Sequence, residues 1–206
     1  MDYTEVKLKA GLEIHQQLEG KKLFCNCPTT IREDEPHFSI KRKLRAVAGE
    51  SGEIDVAAMQ EQLKGKTFVY QGYYDTTCLV ELAEEPPHLI NQEALQIALH
   101  VALLMNCEIV PITQIMRKTV IDGSNTSGFQ RTGMIAHDGV ITTEKGDVRV
   151  SGLFLEEEAA KIIVRKSDHV VYRLDRLGMP LLEVATYPDI TSPRQAQEVA
   201  AYIGMV

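Results

Sequence analysis

Positive charge is in short supply in this sequence. Lysine and arginine total 22 against 29 aspartates and glutamates, a formal net charge of −7 over 206 residues. Such a chain is not a general nucleic-acid glue, because contact with phosphates needs a basic surface. A nucleic-acid partner would need a local basic patch or polypeptide not present here. A metal ion or a metal-bound nucleotide suits an acidic chain equally well. Long apolar runs are also missing. The most apolar stretch, Ile97–Met105, is too short to span a bilayer and contains His100. The charged opening residues 1–9 lack the apolar core of a secretory signal. Cysteine is sparse, four residues at irregular spacing, which does not suggest a disulfide framework. A reduced, cytoplasmic setting with no membrane partner is expected. Repeats and low-complexity tracts are absent, and 44% hydrophobic content suits one soluble globular domain, with or without an appendage.

What is present reads as short strands and a few helices. Val6 to Leu18 alternates in a strand pattern, with a bend expected at Gly11. Pro28 to His37 reads as loop, and Ile54 to Leu63 as a short helix stopped by Gly65. Asn91 to Asn106 is the clearest helix. Asn91 is placed to cap it, and Leu95, Ala98, Leu99, Ala102 and Leu103 form its apolar stripe. Turns at Asp138-Gly139 and Lys145-Gly146-Asp147 separate strands at Met134–His137, Val140–Glu144 and Val148–Glu157, and read as hairpins. Val170–Leu174 and Leu181–Thr186 are further strands, so antiparallel pairing is expected. Ser192-Pro193-Arg194-Gln195 combines an N-cap, a first-turn proline and a capping-box glutamine, with a stripe at Ala196, Val199, Ala200 and Ile203. The chain stops soon after that stripe.

Several motifs carry possible chemistry. In Gly11–Leu18, alternation puts Glu13 and His15 on one face of a strand and Leu12 and Ile14 on the other. A carboxylate beside an imidazole binds a metal or shuttles a proton; equally, the pair is the solvated side of a half-exposed strand. Glu156-Glu157-Glu158 follows an apolar strand directly. Their mutual repulsion is relieved by a cation such as magnesium, or by a helix N-terminus if a helix begins there. Glu183 sits between apolar neighbours and needs a partner unless it faces out of an edge strand. Arg117-Lys118 leads into Asp122–Arg131, a loop rich in small donors. Such a loop offers N–H and hydroxyl groups to phosphate, or is a plain connection; it is not a Walker A loop. Cys25-Asn26-Cys27 is closer-spaced than most zinc ligand pairs. Cys78 and Asp75 are conceivable third and fourth ligands, while free buried thiols are the favoured reading.

Taken together and in order, these blocks resemble one family, the amidotransferase B/E family of kinase subunits acting on glutamyl-tRNA(Gln). Gly11–Leu18 is similar to its opening signature, followed by Leu23–Cys27. Leu155–Lys161 resembles its Leu-Glu-Glu-Asp-Ala stretch, with Glu158 in place of the aspartate. Arg173–Glu183 and Pro188–Ile190 resemble its next two blocks. Tyr70–Leu82 and Ile121–Arg131 are similar to the archaeal, E-type branch rather than the bacterial, B-type branch. The match runs from about Leu8 to the C-terminus.

The resemblance implies an α+β fold, largely antiparallel sheet with flanking helices. It implies that residues 1–206 are an N-terminal catalytic (kinase) domain, cut short near 206, with C-terminal tRNA-binding domains absent. The implied activity is a cytoplasmic, heteromeric ligase for protein biosynthesis. ATP phosphorylates the γ-carboxylate of glutamate on Glu-tRNA(Gln), and ammonia from an asparaginase-like, D-type amidase partner then forms Gln-tRNA(Gln). A Mg2+ site of His15, Glu157 and Glu183 is implied, with Glu13 close by in the catalytic set. His15 is an unusual direct ligand for magnesium, so a bond to phosphate or to metal-bound water is its other role. Arg117, Lys118, Ser124, Ser127 and Gly128 are candidates for ATP, and Arg176 for substrate or structural pairing. The second half of the bacterial-type zinc pattern is reduced to Asp75 and Cys78, which weighs against zinc. The rival readings are a bacterial, B-type kinase, a non-catalytic tRNA-docking or scaffold fragment, and a metal-dependent phosphohydrolase.

Overall fold

The computed structural model describes residues 7–43, 45–46, 48–49 and 51–206. The elements, in chain order, are β1 (Glu13–Gln17), β2 (Phe38–Lys43), α1 (Val56–Leu63), β3 (Thr67–Gly72), α2 (Gln92–Leu104), β4 (Glu108–Ile109), β5 (Ile115–Thr119), β6 (Phe129–His137), β7 (Gly139–Thr143), β8 (Gly146–Glu157), β9 (Lys161–Arg165), β10 (His169–Arg173), β11 (Pro180–Thr186) and α3 (Pro193–Ile203). They build two sheets. The larger is seven-stranded, in the order β1-β11-β8-β6-β4, with β5 also on β6 and β7 also on β8. The smaller is four-stranded, in the order β2-β3-β10-β9. Every named pairing is antiparallel except β3 with β10. The fold is therefore α+β with a largely antiparallel sheet, as expected.

One face of the large sheet is dry. Leu153 and Leu155 of β8, Ile135 of β6, Leu182 and Val184 of β11 and Ile141 of β7 pack there with α2 and α3. Ala94, Ala98 and Ala102 let α2 lie close to the sheet, and Asn91 caps it by accepting from the backbone N–H of Glu93 and Ala94. Val101 belongs to the buried stripe, whereas Leu103 is exposed. In α3 the buried stripe is Gln195, Val199 and Ile203, and Ala200 is exposed. Gln195 accepts from the Thr191 N–H at 2.9 Å while its amide N–H reaches Thr143, so it ties the helix start to β7. Apolar periodicity says little about such a polar anchor.

Two further expectations change. The first strand is shorter than Val6–Leu18: β1 begins at Glu13, Ala10 makes only an isolated bridge to Ile190, and Val6 lies outside the described residues. Asp138-Gly139 is not a hairpin. β6 and β7 both pair with β8, end to end, with Ala136 opposite Leu153 and Gly139 opposite Val150. Asp138 turns the chain with φ +52, and a Cβ on Gly139 would stand 2.4 Å from Cys107 Sγ. The hairpin at Lys145-Gly146 is present, joining β7 to β8.

The small sheet packs its inner face, Phe68, Tyr70, Val170 and Tyr172, into a second core. Its two tyrosines fix the loop that joins β5 to β6: the Tyr70 hydroxyl donates to Gly123 O and that of Tyr172 to Asp122 O, both at 2.7 Å. Gly123 has φ +82 and lies against the Phe68 ring, 2.5 Å from where a Cβ would stand, so no other residue fits. Among the described residues no helix is long and apolar enough to cross a membrane.

Candidate active site

The other face of the large sheet is polar, and its chemistry gathers where β1, β11 and β8 run side by side. His15 pairs with Glu183 in the ladder, and Glu183 with Phe154. Side chains two residues apart share a face, so Glu13, His15, Glu183, Glu156 and Glu158 project together. His15 Nε2 lies 3.1 Å from Glu183 Oε2, 3.5 Å from Glu13 Oε1 and 3.9 Å from Glu156 Oε1. One ligand atom from each of Glu13, His15 and Glu183 falls within 4.8 Å of the others. Glu156 is buried but fully held: Thr132 Oγ1 donates to it at 3.0 Å, Gln130 Nε2 at 3.0 Å and Lys118 Nζ at 3.2 Å. Gln17 Nε2 donates to Glu158 at 2.9 Å, and Arg176 lies 3.6 Å from the same carboxylate. Burial first, and the neighbouring Glu156 charge second, push Glu183 above the ordinary carboxylate range, while the His15 hydrogen bond pulls it down. Converging carboxylates beside an imidazole fit a divalent cation, which would relieve that repulsion.

Glu157 is set apart from this cluster. It follows the parity of Leu155 and points to the core side of β8. There Arg131 Nη1 donates to both its oxygens, at 2.9 and 3.1 Å, and the Arg131 backbone N–H adds a third bond at 3.1 Å. Glu157 is buried and Arg131 largely so, and burial raises the Glu157 pKa while Arg131 opposes it. The expected set of His15, Glu157 and Glu183 is therefore divided by strand alternation: Glu13 is the group that converges with His15 and Glu183, and Glu156 lies next to them. Register decides which of three consecutive glutamates faces the histidine, and no local motif reports register. Thr132 is a site member that no sequence motif singles out, and Gln130, two residues before it on β6, lies in the Asp122–Arg131 motif, which does not mark it for this role.

The residues expected to meet ATP phosphates are also divided. Lys118 joins the carboxylate face. Arg117, its neighbour on β5, projects to the opposite side over the Phe129 ring at 5.3 Å. Ser124 is engaged by Asp122 and by the Ala160 N–H. Ser127 and Gly128 line a cavity of about 570 Å³ whose cations are Arg42, Lys43 and Arg45.

A third cluster lies beside Glu157, along a small cavity that the two share. Ligand atoms of Cys25, Cys27, Cys78 and Glu81 all fall within 4.8 Å of one another. Cys25 donates to Glu81 at 2.7 Å, and the Cys78 N–H donates to the same carboxylate at 2.7 Å. Lys22, fully buried, reaches Glu81 at 3.4 Å and donates to the carbonyls of Thr76 and Leu174. Hydrogen bonding from Cys25 lowers the Cys27 pKa, and burial lifts Cys78 to about 11. Asp75, the fourth ligand considered from sequence, is instead paired with Arg32 on the surface. Cys78-Leu79-Val80-Glu81 keeps the two-residue gap of a Cys-x-x-Cys pair with a carboxylate in its last place, a signal present in the sequence.

Comparison with known proteins places this geometry among relatives. Residues 8–206 match the family model of the GatB/GatE catalytic domain. The chain is 58% identical over 207 residues to the E subunit of glutamyl-tRNA(Gln) amidotransferase from Methanocaldococcus jannaschii, covering 100% of this chain and 33% of that protein. It is 56% identical to the protein of the same name from Methanococcus maripaludis and 55% to that of Methanosarcina acetivorans, covering 33% and 32% of them. The chain thus spans about a third of the length of the curated relatives it matches.

Proposed function

Since the chain belongs to the GatB/GatE catalytic domain family, we propose that it carries the activation step of a tRNA-dependent amidotransferase: ATP-dependent phosphorylation of the γ-carboxylate of glutamate on Glu-tRNA(Gln). The relatives' name supports the amidotransferase part of this reading. The observation that carries the rest is the convergence of Glu13, His15, Glu183 and Glu156 on one sheet face with Lys118 at its rim.

The chemistry asks for such a face. A carboxylate does not react with ammonia, because it offers no leaving group. Attack of a carboxylate oxygen on the terminal phosphorus forms an O–P bond, breaks the bond to the bridging oxygen and releases ADP. Ammonia then adds to the acyl carbon, and phosphate leaves. In the heteromer of this reading, the ammonia comes from a partner amidase of the asparaginase type. Phosphoryl transfer depends on charge neutralisation and alignment more than on covalent help. Mg2+ bound by Glu13, His15 and Glu183, with Glu156 beside them, would supply neutralisation of the phosphate charge. Lys118 holds phosphate oxygens as it exchanges Glu156 for them. Thr132 and Gln130 keep Glu156 in place meanwhile. Glu183, paired with His15 in the ladder, keeps the imidazole Nε2 turned toward the metal side of the face. Gln17 and Arg176 frame Glu158 on the same face and orient the substrate end.

The cysteine cluster supports a separate structural metal in the same domain. Two or three thiolates plus Glu81 suit zinc, and the buried Lys22 ammonium offsets the excess negative charge. The cluster lies on the Glu157 side of β8, which keeps the two roles apart.

Calorimetric titration of the protein with magnesium-ATP, beside a His15→Ala variant, tests the main reading. Saturable binding that the substitution removes is expected. Equal binding by a folded His15→Ala chain would take the histidine, and with it the proposed site, out of the reaction.

A further inference from the structure

β2 is the edge strand of the small sheet, and Lys41, Arg42, Lys43 and Arg45 fall in and just beyond it. In a chain of net charge −7 this is a local inversion of sign. Lysine on a strand edge commonly guards against edge-to-edge pairing. That explains Lys41 and Lys43 but neither Arg42, which shares the inner face with Phe38 and Ile40, nor Arg45, beyond the strand's end.

Two cavities meet here. The first, about 570 Å³, is lined by Arg42, Lys43 and Arg45 and closed on the far side by the Thr126-Ser127-Gly128 turn. The second, about 360 Å³, shares Lys43 and Arg45 and adds Lys66. Their acidic groups are already matched: Glu84 pairs with Arg42, and Glu61 with Lys64 and Lys66. Lys43 and Arg45 are exposed and have no acidic partner among the described residues. The result is a trough of two adjoining cavities, between the loop after β5 and the turn after α1, whose unmatched positive charge sits where they meet, at Lys43 and Arg45.

The floor of the trough narrows the choice of ligand. Phe68 and Tyr70 are 2% and 3% exposed, and the Tyr70 hydroxyl is committed to Gly123. Neither ring is available to stack a base, so recognition rests on phosphate rather than on bases. Two unmatched cations at the junction of two cavities, with no base platform, fit adjacent phosphates of a polynucleotide better than a free nucleotide, whose base would need a seat. We propose that this edge grips the sugar-phosphate backbone of the RNA substrate, an assignment that rests on the tRNA-directed reading above. The Thr126–Gly128 turn that borders the trough also lines the small cavity beside Glu157 and leads directly into β6, the strand that carries Gln130 and Thr132.

The test uses the full-length protein with its partner amidase, an unmodified tRNA(Gln) transcript, and a Lys43→Gln/Arg45→Gln double variant. Both side chains are exposed, so the variant should melt with the wild type. Dissociation constants are read by fluorescence anisotropy across a salt series, and magnesium-ATP binding by calorimetry. The expected result is weaker tRNA binding with the slope of log affinity against log salt reduced by about 2, roughly 1 per lost phosphate contact, and unchanged ATP affinity. Unchanged tRNA affinity and slope would overturn the proposal while leaving the activation reading intact. Loss of ATP affinity without loss of tRNA affinity would also overturn it, making the trough a nucleotide site. Failure of the wild-type complex to bind the transcript at all would remove both this proposal and the reading beneath it.

Discussion

His15 and Glu183 lie 168 positions apart in sequence, yet they are direct ladder partners, with Nε2 and Oε2 3.1 Å apart. The pairing of β1 with β11 makes the contact, and it brings the opening motif of the chain against one of its last. From its own segment His15 gains Glu13 at 3.5 Å; the closer contact comes from across the ladder. The candidate site is thus a product of sheet order, and its predictions turn on which side of which strand a group occupies.

Glu156 and Glu157 provide the sharpest contrast. Glu156→Gln should lower amidation of Glu-tRNA(Gln) by about 100-fold or more, the usual cost of losing a preorganised charged group at the reacting centre. Its melting temperature should change little, because the amide keeps most of the contacts. Glu157→Gln should destabilise the fold by about 3 kcal/mol, since it leaves the Arg131 guanidinium buried without its counter-charge. Single-turnover amidation and thermal melts of the two variants separate the roles; the reverse ranking would return Glu157 to the reaction. Glutaminase activity of the partner amidase should survive in both.

The cysteine cluster should hold one zinc ion per chain. Elemental analysis of protein purified without chelator measures it, and Cys78→Ala should lower the occupancy sharply. Alkylation gives an independent readout: with the metal removed, Cys27 should react first, because hydrogen bonding holds its thiol pKa low while Cys78 is raised to about 11. Protein purified without chelator that carries no zinc would favour a hydrogen-bonded thiol cluster instead.

Arg149 holds the Asp189 pKa at about 2 through side-chain hydrogen bonds of 2.8 and 2.9 Å. A folded value below the unfolded one means that the interaction stabilises the protein above roughly pH 4 and fades as the pH falls towards 2. Arg149→Ala should move the titration of Asp189 up towards the ordinary aspartate value, followed by carbon-detected NMR. Titration still near 2 in the variant would assign the effect to the backbone N–H of residue 149 alone.

Gly123→Ala should destabilise the protein by about 2 kcal/mol or more, through both a left-handed backbone and overlap with Phe68. Because Tyr70 bonds to the same residue, the defect should also loosen the loop, seen as faster amide exchange at Ser124 to Gly128 with little change in α2.

Much of this is legible in the sequence. Alternation places Glu13 and His15 on one face, Asn91 marks its helix start, and antiparallel pairing follows from the short strand spacings. What stays hidden is non-local. Leu103 and Ala200 carry the right helical spacing yet face solvent, because the sheet contacts a slightly rotated stripe. The choice between Glu156 and Glu157 depends on the register of β8 against β11 and β6, which three adjacent glutamates leave undetermined. The fourth member of the cysteine cluster is Glu81 rather than Asp75, and a glutamate is not a residue type usually sought at that spacing.

β8 lies between β6 and β11, and a slip of one residue would exchange the two faces of its glutamates, presenting Glu157 to His15 and turning Glu156 inward. In that arrangement Glu156 or Glu158 would stand against Arg131, so the guanidinium alone does not choose among the three glutamates, but Leu153 and Leu155 would leave the core for the polar face. The alignment is therefore set by the leucines that precede the glutamates, and the fidelity of the reactive face is secured by apolar packing on its reverse side.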